Sequence, residues 1–209
     1  MHTRAKARYR RRSKHGMTTP SLLELAAVLL ALVYVVLAIR QRRSCFYAAS
    51  FSAVLYIVLF AKARLYMEAA LQIFYVAMAV YGWFVWGQHH SAEERPITRW
   101  SLARQGWLIA GVVVIAAGIG ELLSRYTDAA LPFADSLTTV AALVATWMLT
   151  RKVLENWLWW IAIDLLSIGL YVERGLWATA VLFAGYVVLA WAGYLAWRQT
   201  LSQPESALG

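Results

Sequence analysis

Trp157, Trp160 and Asp164 lie three and four residues apart in the run Glu155-Asn156-Trp157-Leu158-Trp159-Trp160-Ile161-Ala162-Ile163-Asp164. In an α-helix, positions i, i+3 and i+7 share a face, so two indoles and a carboxylate line up. A carboxylate at membrane depth costs roughly 2.5–3.5 kcal/mol on insertion scales, and it normally faces a bundle interior or a wet cavity. Indole faces attract cations, contributing about 0.5–2 kcal/mol each. The stripe therefore suits a flat, cationic ligand. Trp159 points away from it, and tryptophans at the start of a span also serve as interfacial anchors.

Further candidates lie on other segments. Gln72 and Tyr75 are one turn apart, and a glutamine amide in a bilayer needs partners, either on a substrate or on a neighbouring helix. Asp135 and Thr139 are i, i+4 neighbours following Pro132; they could face a ligand, or Asp135 could cap its helix. Glu24 and Glu121 fall near span ends and read as orientation or capping features. The four histidines, His2, His15, His89 and His90, occupy the N-terminal tail and a loop. No cluster of His, Cys and carboxylates has metal-ligand spacing, and no phosphate loop, GxSxG or zinc-protease helix occurs. The sequence thus points away from an enzyme and implies no cofactor and no metal.

The elements that must position these residues are membrane helices. Of 209 residues, 61% are hydrophobic and 15% charged, with a mean hydropathy of +0.55. Soluble domains run nearer half apolar and a quarter charged, so the surplus here must face lipid. The net charge of +9 comes from residues flanking apolar spans and from a terminal tail. That is a topology signal rather than a nucleic-acid surface. A single cysteine, Cys45, excludes an intrachain disulfide framework.

Seven apolar segments are expected, at 22–39, 45–61, 65–86, 107–123, 131–149, 157–172 and 176–197. Shifting the chain by 111 residues superposes the first three on the last three. Ala31-Leu32-Val33 falls on Ala142-Leu143-Val144, Arg40 on Arg151, Tyr75-Val76 on Tyr186-Val187, Gly82 on Gly193, Trp86 on Trp197 and Gln88 on Gln199. Sixteen of 58 positions over 31–88 are identical. Chance between apolar helices supplies Leu, Ala and Val, but not this register of Arg, Gly, Trp and Gln. The expected organisation is a tail at 1–20, a three-helix repeat at 21–88, a loop and linker helix at 89–130, a second repeat at 131–199 and a short tail. The linker helix restores a parallel sense, so the fold class is an all-α membrane protein in a 3+1+3 arrangement whose halves are related by an axis along the membrane normal.

Charge gives the orientation. Counting the tail, the N-terminal side carries 11 Lys and Arg against 9 on the other; without the tail the count is 4 against 9. Met17, just before Thr18-Thr19-Pro20, is the expected start, or else the tail is a dispensable addition. The N-terminus is then outside and the C-terminus cytoplasmic.

The stretch from Asp135 through Arg151-Lys152 and Glu155–Asp164 to Leu170-Tyr171, Arg174-Gly175-Leu176, together with Gln72, Tyr75, Tyr81-Gly82-Trp83 and Trp86, resembles the PnuC family of vitamin-precursor transporters over about residues 22–198. Trp157 and Trp160 match its W-x-x-W element, and Asp164 stands where many relatives carry asparagine; Thr146 stands where relatives often carry glutamine. The resemblance implies a SWEET-like fold, a homotrimer in the inner membrane, and uptake of nicotinamide riboside by facilitated diffusion with retention by cytoplasmic phosphorylation. Similar proteins carry thiamine or riboflavin. The substrate-binding residues expected are Trp157, Trp160, Asp164, Gln72, Tyr75, Asp135 and Thr139. A carrier of thiamine or another cationic vitamin precursor on the same fold and a non-transporting structural or sensory membrane protein are the competing readings.

Overall fold

The computed structural model describes residues 21–62, 66–87, 96–127, 131–173 and 175–202. The basic tail, Met17, the loop histidines, Arg64, Arg95 and Arg174 lie outside the described residues. Seven α-helices follow one another: α1 (Leu22–Ile39), α2 (Cys45–Lys62), α3 (Tyr66–Gly87), α4 (Leu102–Tyr126), α5 (Pro132–Thr150), α6 (Asn156–Glu173) and α7 (Trp177–Ser202). All seven expected segments are helical. The largest difference is at α4, which begins five residues before the apolar window. Ser101 caps it, accepting from the Arg104 N–H at 3.3 Å, and the first turn is polar because it lies beyond the apolar stretch. Helix α7 likewise runs on through Arg198 to Ser202.

Six of these helices are long and apolar enough to cross a membrane. The exception is α6, whose sequence carries Asn156, Asp164 and Glu173. It is 18 residues long, as are α1 and α2, and it is built into the bundle like them. Leu29, Val33, Phe51, Val58, Ile73, Val80, Val181 and Val188 project from the outer surface. Such a surface is stable only against lipid.

The helices pack in a closed ring. α1 packs on α2, α2 on α3, α3 on α5, α5 on α6, α6 on α7, and α7 returns to α1. α4 stands outside the ring against α5. Its lead-in is tied to the loop between α5 and α6: Thr98 N–H donates to the Lys152 carbonyl, Leu154 N–H donates to the Thr98 carbonyl, and Glu155 accepts from Trp100 N–H and pairs with Arg99.

The internal repeat is visible bond by bond. Both α1 and α5 end in a turn whose third-position residue has a left-handed backbone, Gln41 at φ 55° and Lys152 at φ 52°. In each, the residue at that position donates to the carbonyl three back (Gln41 to Ala38, Lys152 to Leu149), and the next donates to the carbonyl five back (Arg42 to Leu37, Val153 to Met148). This is the Schellman arrangement of a helix end. The four bonds that open α2 (Cys45 to Arg42, Phe46 to Arg43, Tyr47 and Ala48 to Ser44) recur 111 residues later at the start of α6.

Candidate functional site

Inside the ring is a cavity of about 390 Å³, within the range of small-molecule sites. All six ring helices line it. α1 contributes Ala31, Tyr34, Val35 and Ala38, and α2 contributes Ala49, Ser52, Ala53 and Tyr56. Each set falls at i, i+3 or i+4, and i+7, one face of a helix. α3 supplies Gln72 and Tyr75, and α5 supplies Thr146 and Leu149. From α6 come Trp157, Trp160 and Asp164, and from α7 Phe183, Tyr186 and Ala190. Five of the seven residues singled out by sequence are thus brought to one space.

Asp135 and Thr139 do not line it. They share the α5 stripe of Thr146, Asp135 three turns and Thr139 two turns nearer the opposite end, and neither is part of the wall; Thr139 is exposed. The reason is length: at 1.5 Å per residue, Asp135 stands roughly 16 Å from Thr146 along the helix. Asp135 does not stand at the capping position either. The capping position is Leu131, with no side-chain bond, so Asp135 sits in the first turn, where a carboxylate complements the helix dipole.

The two halves line the cavity with equivalent positions and different chemistry. Val35 and Thr146, Ala38 and Leu149, Ala49 and Trp160, Ala53 and Asp164, Gln72 and Phe183, Tyr75 and Tyr186 are pairs 111 residues apart, and both members of each are in the wall. Applying the repeat shift to Gln72 and Tyr75 would have found Phe183 and Tyr186. The small residues of α2 carried a fainter signal, since Ala49, Ser52 and Ala53 are one face only once the helix is known to be packed there.

Trp157 is held edge-on to Trp197, ring centroids 5.4 Å apart at 89°. Its ring lies on Gly193, where a Cβ would come within 2.7 Å of it. The glycine is required by that approach. The same contact is made in the other half between Phe46 and Gly82. Trp157 is 2% exposed and its Nε1–H has no hydrogen-bond partner among the described residues. Ser52 Oγ donates to the Ala27 carbonyl at 2.8 Å and Thr146 Oγ1 to the Ala142 carbonyl at 2.7 Å, so both hydroxyl protons are committed to backbone.

Asp164 is 5% exposed, and no described residue forms an ion pair with it. A buried carboxylate without a protein cation is uncompensated. The cavity around it presents Trp160, Tyr186 and Phe183 as aromatic faces and Gln72 as an amide. This wall can hold a flat cation between rings and carboxylate, with an amide for a polar substituent. Among the described residues no group of His, Cys, Asp and Glu could hold a metal ion.

The Nicotinamide mononucleotide transporter family matches residues 21–199. The chain belongs to that family. Among its relatives, the nicotinamide riboside transporter PnuC of Escherichia coli (strain K12) is 26% identical over 203 residues, covering 85% of each protein. The riboflavin/roseoflavin transporter RibM of Streptomyces davaonensis is 26% identical over 134 residues, covering 62% of this chain and 61% of that one. The crystal structure of the vitamin B3 transporter PnuC superposes with a TM-score of 0.67 at 23% identity, covering 86% of this chain and 81% of the other. That likeness fixes the fold. Family membership and the apolar helices make the protein a multi-pass membrane transporter of a small molecule, and not an enzyme.

Proposed function

We propose that the protein takes up nicotinamide riboside by facilitated diffusion, the substrate being trapped inside by phosphorylation, with Trp160, Asp164, Gln72, Tyr75 and Trp157 as its binding residues. The observation that carries this reading is the Asp164 carboxylate, buried in an aromatic cavity with no ion-pair partner among the described residues. A pyridinium ring supplies the missing charge and a flat face at once. Relatives named as nicotinamide riboside transporters support the choice. Asp135 and Thr139, on the α5 stripe beyond the cavity, would line the approach from the opposite end. The arginine-rich end, with Arg40, Arg42, Arg43, Arg151 and Arg198, is the cytoplasmic one on this reading, in the inner membrane. The assembly proposed is a homotrimer.

Titration calorimetry on the purified protein tests the substrate. Nicotinamide riboside should bind, and riboflavin, which is neutral, should bind far more weakly. Thiamine shares the cationic aromatic chemistry; tighter binding of thiamine would replace the substrate while keeping the site. No heat with either cation would overturn the reading. Uptake that persists in de-energised vesicles supports facilitated diffusion, and uptake abolished by an uncoupler argues for ion coupling.

A further inference from the structure

Beyond the cavity, toward the arginine-rich end, the halves are joined by a set of contacts that repeats itself. Trp86, in the last turn of α3, donates its Nε1–H to the Thr150 carbonyl at the end of α5, 3.1 Å away. Trp197, on α7, donates its Nε1–H to the Ile39 and Ala38 carbonyls at the end of α1, each at 3.2 Å. Trp86 and Trp197 are 111 residues apart, as are Ile39 and Thr150. Each bond therefore runs from one half to the other, and the second is the first with the halves exchanged. The two indoles meet at 6.2 Å between ring centroids.

The turns beside them complete the arrangement. Gln41 and Lys152 hold the left-handed position of their helix ends, which usually falls to glycine. Non-glycine residues there carry a strain that persists where the surroundings require the side chain. Here the two side chains meet across the halves, Lys152 Nζ donating to Gln41 Oε1 at 3.3 Å. Lys152 Nζ also lies 4.8 Å from the Trp86 ring centroid.

We propose that Trp86, Trp197, Gln41 and Lys152 form a two-fold latch that closes the carrier at its arginine-rich end, and that rocking one half against the other breaks both indole bonds together. Three features support a latch over plain packing. The bonds cross between halves and not within them. They end on the last carbonyls of α1 and α5, Ile39 and Thr150, which have no partner inside their own helices, and at Ala38 on a carbonyl that the Gln41 N–H also reaches. And they stand directly behind Ala38, Leu149 and Trp157, which line the cavity. Carriers built from parallel repeats expose a central site by moving one repeat against the other. A contact set symmetric about the same axis is released by that motion as a unit.

The chain carries its own reporter. Cys45, the only cysteine, is 0% exposed and packs in one cluster with Ala38, Trp86, Leu149 and Trp197. The experiment is the rate of Cys45 alkylation by N-ethylmaleimide in proteoliposomes without substrate, so its outcome is independent of the nicotinamide riboside reading. Trp86→Phe and Trp197→Phe each keep a ring and lose a donor. Each should raise the rate roughly two- to tenfold, the usual range for one hydrogen bond, and the double variant should exceed either. Gln41→Gly suits the left-handed backbone and so keeps the fold while removing the contact to Lys152; it should raise the rate about twofold or more. Trp159→Phe, on the outer face of α6, should leave it unchanged. A double Trp variant that elutes and melts as a folded protein yet labels within twofold of the parent overturns the latch. If the Trp variants do not fold, an unchanged rate in Gln41→Gly overturns it by itself. An equal rise in Trp159→Phe also overturns it, because loosening would then be general.

Discussion

At the latch the two halves of the protein are alike, and at the cavity they differ. Trp86 and Trp197 perform one act twice, as do the helix ends at Gln41 and Lys152. At the cavity wall, the same shift pairs Ala49 with Trp160, Ala53 with Asp164 and Gln72 with Phe183. Contacts that must break together gain from being equivalent. A ligand with one charge and one ring has no such two-fold symmetry, so the walls that hold it need not have it either. The frame is symmetric, but at the wall the second half carries the acid and both tryptophans, while the first half has alanines opposite Trp160 and Asp164 and contributes tyrosines and Gln72.

The largest effect expected is at Asp164. Asp164→Asn preserves shape and removes the charge, and binding of a cationic ligand should weaken by about ten- to hundredfold, as for loss of a charge-assisted contact. Affinity for riboflavin should not fall. Parallel titrations of both ligands measure this. Equal losses for cation and neutral ligand would mean that Asp164 shapes the cavity and does not read charge.

Gly193 and Gly82 allow the halves to be compared directly. Each receives an aromatic ring, Trp157 or Phe46, with no room for a Cβ. Gly193→Ala and Gly82→Ala should each lower stability by about 1–3 kcal/mol, the cost of overpacking. Their effects on binding should part, because Trp157 lines the cavity and Phe46 does not. Thermal unfolding and titration on both variants give the answer. Similar loss of binding from Gly82→Ala would show that the site depends on both halves equally.

Much of this was legible in the sequence, for reasons that vary by residue. The seven helices follow from apolar length, and the 111-residue repeat from the register of Arg40, Gly82 and Trp86 with Arg151, Gly193 and Trp197. The stripe of Trp157, Trp160 and Asp164 follows from helical spacing alone. Asp135 and Thr139 obeyed the same spacing and lie outside the cavity, because periodicity gives the face of a helix and says nothing of depth along it. In the cavity wall, Ala49 and Ala53 follow from the repeat shift applied to Trp160 and Asp164, whereas Tyr34, Ser52 and Tyr56 were not legible, since helical spacing does not separate a wall residue from one that packs. The indole bonds of Trp86 and Trp197 end on backbone carbonyls, which no side-chain pattern announces. Tryptophans near span ends look like interfacial anchors, yet these two are buried between the halves.

A smaller effect separates ligand stacking from ring filling. Trp160→Phe keeps an aromatic face with a weaker attraction for cations, and should weaken binding of nicotinamide riboside about two- to fivefold. Trp160→Leu should cost more than Trp160→Phe; the same loss from both would assign Trp160 to shape.

The smallest effect on binding is expected one residue away. Trp159 points to the other side of α6, where its Nε1–H donates to Gln105 Oε1 at 2.8 Å and ties the ring to α4. Trp159→Phe removes that bond, and the Gln105 amide, whose Nε2 already lacks a described partner, then loses its remaining contact. Stability should fall by about 0.5–1.5 kcal/mol, while the Kd for nicotinamide riboside should change less than twofold. Neighbouring tryptophans would thus divide cleanly, Trp160 affecting affinity and Trp159 the attachment of the outer helix. Should Trp159→Phe weaken binding as much as Trp160→Phe, α4 must steady the cavity wall through Gln105, and the ring of six helices would not suffice as the binding unit.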